Sequence, residues 1–312
     1  MNVLFMGTPD FAVPVLKQLI DDGYQIAAVI TQPDRPKGRK RVLTPPPVKV
    51  LAEQIGLPVL QPNKIRSGAA VSEALGYKPD LIVTCAYGQI LPEALLNAPQ
   101  YGAINVHASL LPEYRGAAPI QQAIMDGKSE TGVTIMYMVK ALDAGDIISQ
   151  VKVPIDRTDN AGTLHDKLSV AGAKLLSKTL PDLIAGKITP IPQDETQATY
   201  VSTLKREDEQ IDWDKPGEAV FNHIRALAPV PGAFTLYNGQ VLKIFDVEQR
   251  VGTDSEGRPG TILAVDAESF YVKTGDHVAI KVNSCQPAGK KRLRTSDFLR
   301  GTAIKEGDVL GG

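Results

Sequence analysis

Residues 1–30, MNVLFMGTPDFAVPVLKQLIDDGYQIAAVI, hold the order that decides the fold. Positions 3–6 are apolar without interruption, as a strand covered on both faces requires. The turn Gly7-Thr8-Pro9-Asp10 follows, and over 11–22 the apolar residues recur near helical spacing. Residues 26–30 are again short and apolar, so the chain opens strand–helix–strand. The first six residues lack a cationic segment and run straight into the turn. They read as a buried strand and not as a signal peptide.

The alternation continues to about residue 190. Strands are expected over 81–84, 103–106 and 133–138, and helices over 48–55, 69–75 and 120–125. A longer helix is expected from about 162 to 184, where Leu164, Leu168, Ala171, Leu175, Leu176 and Leu180 share one face. Apolar strands separated by helices give an α/β, doubly wound, mostly parallel (Rossmann-like) sheet domain over 1–189. Residues 190–207 are polar and proline-punctuated and read as a linker. Beyond them, short β-prone runs over 232–237, 241–249, 260–265, 270–273 and 278–282 suit a small C-terminal OB-like β-barrel over 208–312. Asn238-Gly239 marks a hairpin between the first two.

Composition narrows the function. Among 312 residues, 34 Lys and Arg face 35 Asp and Glu, which excludes a wholesale polycation but not local patches. The two cysteines, Cys85 and Cys285, exclude a disulfide framework and point to a reducing, cytoplasmic setting. No run reaches the roughly 18 apolar residues of a membrane span. Four scattered histidines, with no two at metal-ligand spacing, leave no expected metal. The turn after the first strand has one Gly where a dinucleotide fingerprint needs three, and there is no phosphate-cradling P-loop. Ser109 lies two residues from His107 but without a nucleophile-elbow pattern, which argues against a serine hydrolase.

Two constellations remain. In Ala103-Ile104-Asn105-Val106-His107, strand periodicity sends Asn105 and His107 to one face, near the carboxyl end of an apolar strand where open α/β sheets hold ligands. The same pair suits a hydrogen-bonded strand end with no catalytic duty, and pattern alone leaves both open. Asp143, in Leu142-Asp143-Ala144-Gly145-Asp146, is a loop carboxylate within reach of that pair or an ordinary turn former.

Asn105-x-His107, then Ser109-Leu110-Leu111-Pro112, Tyr114-Arg115-Gly116-Ala117-Ala118-Pro119, Gly132-Val133-Thr134-Ile135 and Leu142-Asp143-x-Gly145-Asp146, resemble the folate-dependent formyltransferase family. Gly7-Thr8-Pro9-Asp10-Phe11-Ala12, Gln32-Pro33-Asp34-Arg35-Pro36-x-Gly38-Arg39 and Gln286-Pro287-Ala288-Gly289-Lys290-Lys291 resemble the branch of it that formylates an aminoacyl-tRNA. Ala108 and Glu113 depart from the pattern, which often has Gly and a basic residue there.

The resemblance implies 10-formyltetrahydrofolate as formyl-donor co-substrate and the α-amino group of methionine on initiator tRNA as acceptor. Attack by a neutral amine creates an oxyanion and a proton that must leave. Asn105 would donate to the oxyanion, His107 would donate or carry the proton, and Asp143 would orient or charge-stabilise His107. The folate would be held by Tyr87, Gly88, Ile90 and Leu91, by Ser109, Leu110, Leu111 and Pro112, and by Val139, although several of these apolar residues equally suit a core. Phe11 would meet the aminoacyl end or serve as core.

For tRNA, Arg35, Lys37, Arg39, Lys40 and Arg41 put five cations in seven positions of an exposed, mobile loop, with Arg39 the residue the resemblance singles out. Lys290, Lys291 and Arg292 form a second patch in a region that is otherwise not basic, with 14 Lys and Arg against 16 Asp and Glu from 206 to 312. A monomer without membrane contact is expected. A formyltransferase for a small amine, a folate hydrolase and an RNA-binding module with an idle catalytic domain are the competing readings. Strong salt dependence of substrate affinity separates the tRNA reading from the first two.

Overall fold

The computed structural model describes residues 1–38, 40–251 and 256–311. The chain packs as two compact units. One comprises Met1–Pro119, Glu130–Pro154 and His165–Val201, and the other Ile120–Ser129, Ile155–Leu164 and the chain from Ser202 onward. Two short segments expected in the first domain, 120–129 and 155–164, therefore pack with the second unit.

The chain begins with β1 (Asn2–Gly7), a 3-10 turn at Asp10–Ala12, α1 (Val13–Asp21), β2 (Gln25–Ile30), β3 (Arg35–Lys37) and β4 (Val42–Thr44). Then come α2 (Pro47–Gln54), β5 (Val59–Leu60), α3 (Gly68–Gly76), β6 (Leu81–Cys85), α4 (Glu93–Asn97) and β7 (Ala103–His107). β8 (Arg115–Gly116), α5 (Pro119–Met125), β9 (Glu130–Tyr137), β10 (Ile147–Pro154), α6 (Ala161–Ile184) and β11 (Tyr200–Val201) follow. The main sheet has the order β10-β9-β7-β6-β1-β2-β5, with β7, β6, β1, β2 and β5 parallel. Every residue of β6 is buried, which is the reason its sequence shows no apolar–polar alternation, with Thr84 its one polar residue.

At the other edge β9 runs antiparallel to β7 and to β10, so the expected 133–138 strand reverses direction instead of continuing the parallel set. Its partner β10 has no counterpart among the expected strands. Gly172 of α6 lies so close to the sheet that an added Cβ would stand 2.9 Å from Val106 Cγ1. The helix therefore covers the Val106 face of β7 and leaves Asn105 and His107 on the opposite face. The α6 amino end is closed reciprocally: Thr163 N–H donates to Asn160 Oδ1 and Asn160 N–H to Thr163 Oγ1, both at 3.0 Å.

Of the basic stretch expected as a mobile loop, residues 35–37 form β3, which pairs with β4, Arg35 with Thr44 and Lys37 with Val42, while Arg39 lies outside the described residues. Asp34 anchors its base by accepting from Lys49 and Gln61, and these bonds, the Gln61 one foremost, hold its carboxyl below the usual range. The stretch expected as a linker makes main-chain pairings of its own. Ile191 bridges Ile147, and β11 pairs in parallel with β8. Proline and polar composition mimic a tether here because the partners that order the segment lie far away in sequence.

The second unit is built on α7 (Gly217–Leu227), β12 (Ala233–Tyr237), β13 (Gln240–Val251), β14 (Ile262–Val265), β15 (Phe270–Lys273), β16 (Val278–Pro287), β17 (Leu293–Arg294) and α8 (Thr295–Leu299). Its antiparallel sheet, β12-β13-β16-β15-β14 with β17 on β16, is an open form of the expected barrel. Asn238 and Gly239 have φ of 51° and 71°, the paired positive values that a tight hairpin turn demands. Val220, Ile224 and Leu227 carry α7 onto the core around Ile244, Phe270 and Ile280.

Candidate active site

Asn105 and His107 project from β7, flanked by β6 and β9. Thr84 of β6 donates its hydroxyl to Asn105 Oδ1 at 2.8 Å. With the oxygen end of the amide so engaged, Nδ2 is the end left to donate. The ring of the buried His107 is held at Nε2, 3.0 Å from the carbonyl oxygen of Tyr114. A carbonyl only accepts, so the proton sits on Nε2 and Nδ1 is the nitrogen free to exchange one.

Nδ1 faces Asp143 Oδ2 at 3.8 Å. Asp143 adopts a left-handed backbone, φ 47°, which an aspartate tolerates better than most residues. Its Oδ2 accepts from Gly116 N–H at 2.8 Å. At Gly145 a Cβ would fall 1.8 Å from the Tyr137 carbonyl oxygen, so only glycine lets the 139–146 loop fold back this tightly. The structure thus brings Asn105, His107 and Asp143 to one place, from a strand and a loop nearly forty residues apart.

The loop after β7 is pinned from β9 and β10. The hydroxyl of fully buried Thr134 donates to Ser109 O at 2.7 Å and accepts from Leu111 N–H at 3.1 Å. Gln150 Nε2 donates to Leu111 O and to Thr134 Oγ1, both at 2.9 Å. From β11's side, Thr199 Oγ1 takes the Tyr114 N–H at 2.7 Å. Because Tyr114 supplies the carbonyl that holds His107, these bonds reach the His107 ring indirectly.

The expected folate residues divide into two groups. Tyr87, Leu91, Ser109 and Leu111 are buried. Ser109 spends its hydroxyl on Glu113 O at 2.6 Å, and Tyr87 O accepts from Thr8 Oγ1 at 3.0 Å and Gln32 Nε2 at 3.2 Å. The Ser109 hydroxyl is thus already engaged, whereas Tyr87 is engaged through its main-chain oxygen and its buried phenol oxygen has no hydrogen-bond partner among the described residues. Burial pushes the Tyr87 phenol up to about 12. Leu110 and Pro112 are half-buried, and Gly88 is exposed in a left-handed conformation, φ 84°. Ile90 is 72% exposed, and Val139 and Leu142 also stand in water, an apolar rim on the loops after β6 and β9. Phe11 is buried, edge-on to His165 with ring centres 5.3 Å apart, so core packing accounts for most of its surface.

Arg35, Lys37, Lys40 and Arg41 are exposed on the hairpin, and Arg39 lies outside the described residues. In the second unit Lys290 and Lys291 are exposed, while Arg292 lies over the Phe245 ring at 4.6 Å and donates to Ser284 Oγ. Among the described residues no group of three His, Cys, Asp or Glu is placed to hold a metal ion, and no helix is long and apolar enough to cross a membrane. Sequence reasoning passed over Thr84, Thr134, Gln150, Thr199 and Gln193. Each is a common polar residue whose partner is remote, so even Thr134, inside one of the motifs quoted above, shows no local sign of what it holds.

A formyl transferase family profile matches residues 1–180, and the profile of that family's C-terminal domain matches 203–303. The methionyl-tRNA formyltransferase of Geobacillus sp. (strain WCH70) is 62% identical over 301 residues, covering 96% of this chain and 94% of that one. The protein of the same name from Bacillus subtilis (strain 168) is 58% identical over 310 residues, 99% of this chain and 98% of that one. Among solved structures, HypX from Aquifex aeolicus in complex with tetrahydrofolic acid matches with a TM-score of 0.68 at 19% identity; the match covers 98% of this chain and 48% of HypX, so the chain spans about half that protein. WlaRD, a sugar 3N-formyl transferase, matches with a TM-score of 0.67 at 19% identity over 93% of this chain. At such identities the two structures speak for the fold alone.

Proposed function

This chain belongs to the formyl transferase family, and on that footing we propose that it transfers the formyl group of 10-formyltetrahydrofolate to the α-amino group of methionine on initiator tRNA. One observation carries the choice of acceptor: relatives 58–62% identical, matched over 94–98% of their own length, bear the name methionyl-tRNA formyltransferase. When bound, 10-formyltetrahydrofolate supplies a formyl carbon open to attack by an amine. The exposed apolar side chains of Ile90, Val139 and Leu142 fit the flat faces of such a molecule.

Asn105 Nδ2 donates to the formyl oxygen as negative charge develops on it, with Thr84 holding the amide in register. His107 Nδ1 takes the proton that the attacking amine must lose and passes it to the departing nitrogen. The Tyr114 carbonyl keeps the other ring proton on Nε2 throughout. Asp143, 3.8 Å from Nδ1, stabilises the imidazolium formed in between. Arg35, Lys37, Arg39, Lys40 and Arg41, with Lys290, Lys291 and Arg292, supply the cations for tRNA phosphates.

The test is single-turnover formylation of methionyl-initiator tRNA with 10-formyltetrahydrofolate, wild type beside Asn105→Ala and His107→Ala. Loss of an oxyanion donor or proton carrier costs about 10²–10³-fold in rate. Wild-type rates in both variants overturn the site. No transfer by folded wild-type protein overturns the reaction.

A further inference from the structure

Arg115 is 1% exposed, and each of its five guanidinium N–H groups has an acceptor. Two bonds go to Gln193 Oε1 (3.0 and 2.8 Å), two to the Glu195 carboxylate (2.9 and 2.7 Å) and one to Tyr200 OH (3.0 Å). The pairing pushes the Glu195 carboxyl below its ordinary range. A guanidinium cannot accept and a carbonyl cannot donate, so the Gln193 amide sits in one orientation only. Its Nε2 points at the 139–146 loop and donates to Asp143 O at 2.8 Å and to Gly145 O at 2.7 Å.

The loop is therefore tied twice to neighbours in one small region. Gly116, adjacent to Arg115, holds the Asp143 side chain through its N–H, and Gln193 holds the Asp143 main chain. Asp143 needs such a hold: its backbone is left-handed and its carboxylate stands at 3.8 Å from His107 without a direct hydrogen bond to it.

We propose that Gln193 is a positioning residue for formyl transfer: its amide, locked by buried Arg115, holds the Asp143 loop in the conformation that keeps the carboxylate beside His107 Nδ1. The proposal rests on the role given to Asp143 above. Gln193 touches no substrate and acts through that loop. Glu195 and Tyr200 complete the clamp by keeping Arg115 aimed at Gln193.

Gln193→Glu separates anchoring from holding. Its carboxylate still accepts from Arg115, but it presents oxygen where two carbonyls need a donor. Single-turnover transfer at saturating folate and tRNA should fall at least about tenfold in this variant, since small displacements of catalytic groups are costly. KM for both substrates should stay within about twofold of wild type. In an Asp143→Asn background the same substitution should cost nothing further, because a group acting through Asp143 has nothing left to position.

A Gln193→Glu loss that multiplies unchanged onto Asp143→Asn overturns the proposal, as does a wild-type rate for Gln193→Glu when Asp143→Asn is slow. A wild-type rate for Asp143→Asn overturns the role of Asp143 itself, and the proposal with it. Gln193→Ala, which leaves the Arg115–Glu195 pair intact, repeats the cycle should the charged variant fail to fold, with the same pattern expected.

Discussion

Thr134→Val is the sharpest perturbation the structure offers, because it removes one hydroxyl and keeps the shape. Thr134 is fully buried, and its Oγ1 serves the Ser109 carbonyl, the Leu111 N–H and Gln150 Nε2. Gln150 keeps its bond to Leu111 O, but the Ser109 carbonyl and the Leu111 N–H lose their side-chain partner. A buried polar group left unsatisfied costs about 1–3 kcal/mol, so two such groups predict roughly 3 kcal/mol of lost stability. Thr134→Ser retains the hydroxyl and loses only a methyl group, for about 1 kcal/mol.

Urea unfolding followed by circular dichroism measures the difference, and hydrogen exchange at the Leu111 amide locates it. The valine variant should expose that amide while the serine variant protects it. Formyl transfer should also slow in the valine variant, because the loosened loop ends at Tyr114, whose carbonyl holds His107. Equal stability of the valine and serine variants, with Leu111 equally protected in both, would refute the reasoning.

Two further outcomes are expected. Gly145→Ala forces a Cβ against the Tyr137 carbonyl, so the 139–146 loop must move; single-turnover rate should drop about 10²-fold, the scale of a 1 Å misplacement, with thermal unfolding as the control for folding. His223 is half-buried in the second unit with Nε2 out of reach of solvent and unpartnered among the described residues, and desolvation lowers its pKa against weaker opposing contributions from the Glu209 backbone, Asp208 and Asp212. A pKa depressed by folding means the unfolded chain binds the proton more readily. The contribution to stability is thus complete above about pH 6.5 and is lost as pH falls through the folded-state value. Melting temperatures from pH 7.5 down to 5 should decline less steeply in His223→Leu than in the wild type.

Much of the architecture is legible in runs such as 3–6 and 81–84, because a strand buried on both faces has no polar side to hide. Asn238-Gly239 is legible for a different reason: the turn needs two positive φ values that few residue pairs adopt readily. β10 escapes notice as an edge strand with a mixed burial pattern, and α7 because a search for short β runs passes over the helical spacing of Val220, Ile224 and Leu227. At the site, Asn105, His107 and Asp143 stand out by residue type and motif. The groups that hold them do not. Thr84, Thr134 and Gln193 gain meaning only from carbonyls and amides that the fold brings to them, and Ser109, expected at the ligand, is occupied with its own loop. The basic stretch at 35–41 has the composition of a loose loop, yet its flanks pair as β3 and β4.

The ordered course of residues 191–201 bears on how this fold can be taken apart and recombined. By composition a seam would be placed near residue 189, and a shuffled or shortened gene joined there would omit Gln193, Glu195 and Tyr200. Arg115 would lose all five of its hydrogen-bond acceptors, and the Asp143 and Gly145 carbonyls would lose their donor. Such a fragment carries Asn105, His107 and Asp143 and lacks the side chain that ties the 139–146 loop in place. The compact unit that holds Asn105, His107 and Asp143 runs to Val201, where the strand paired to β8 ends.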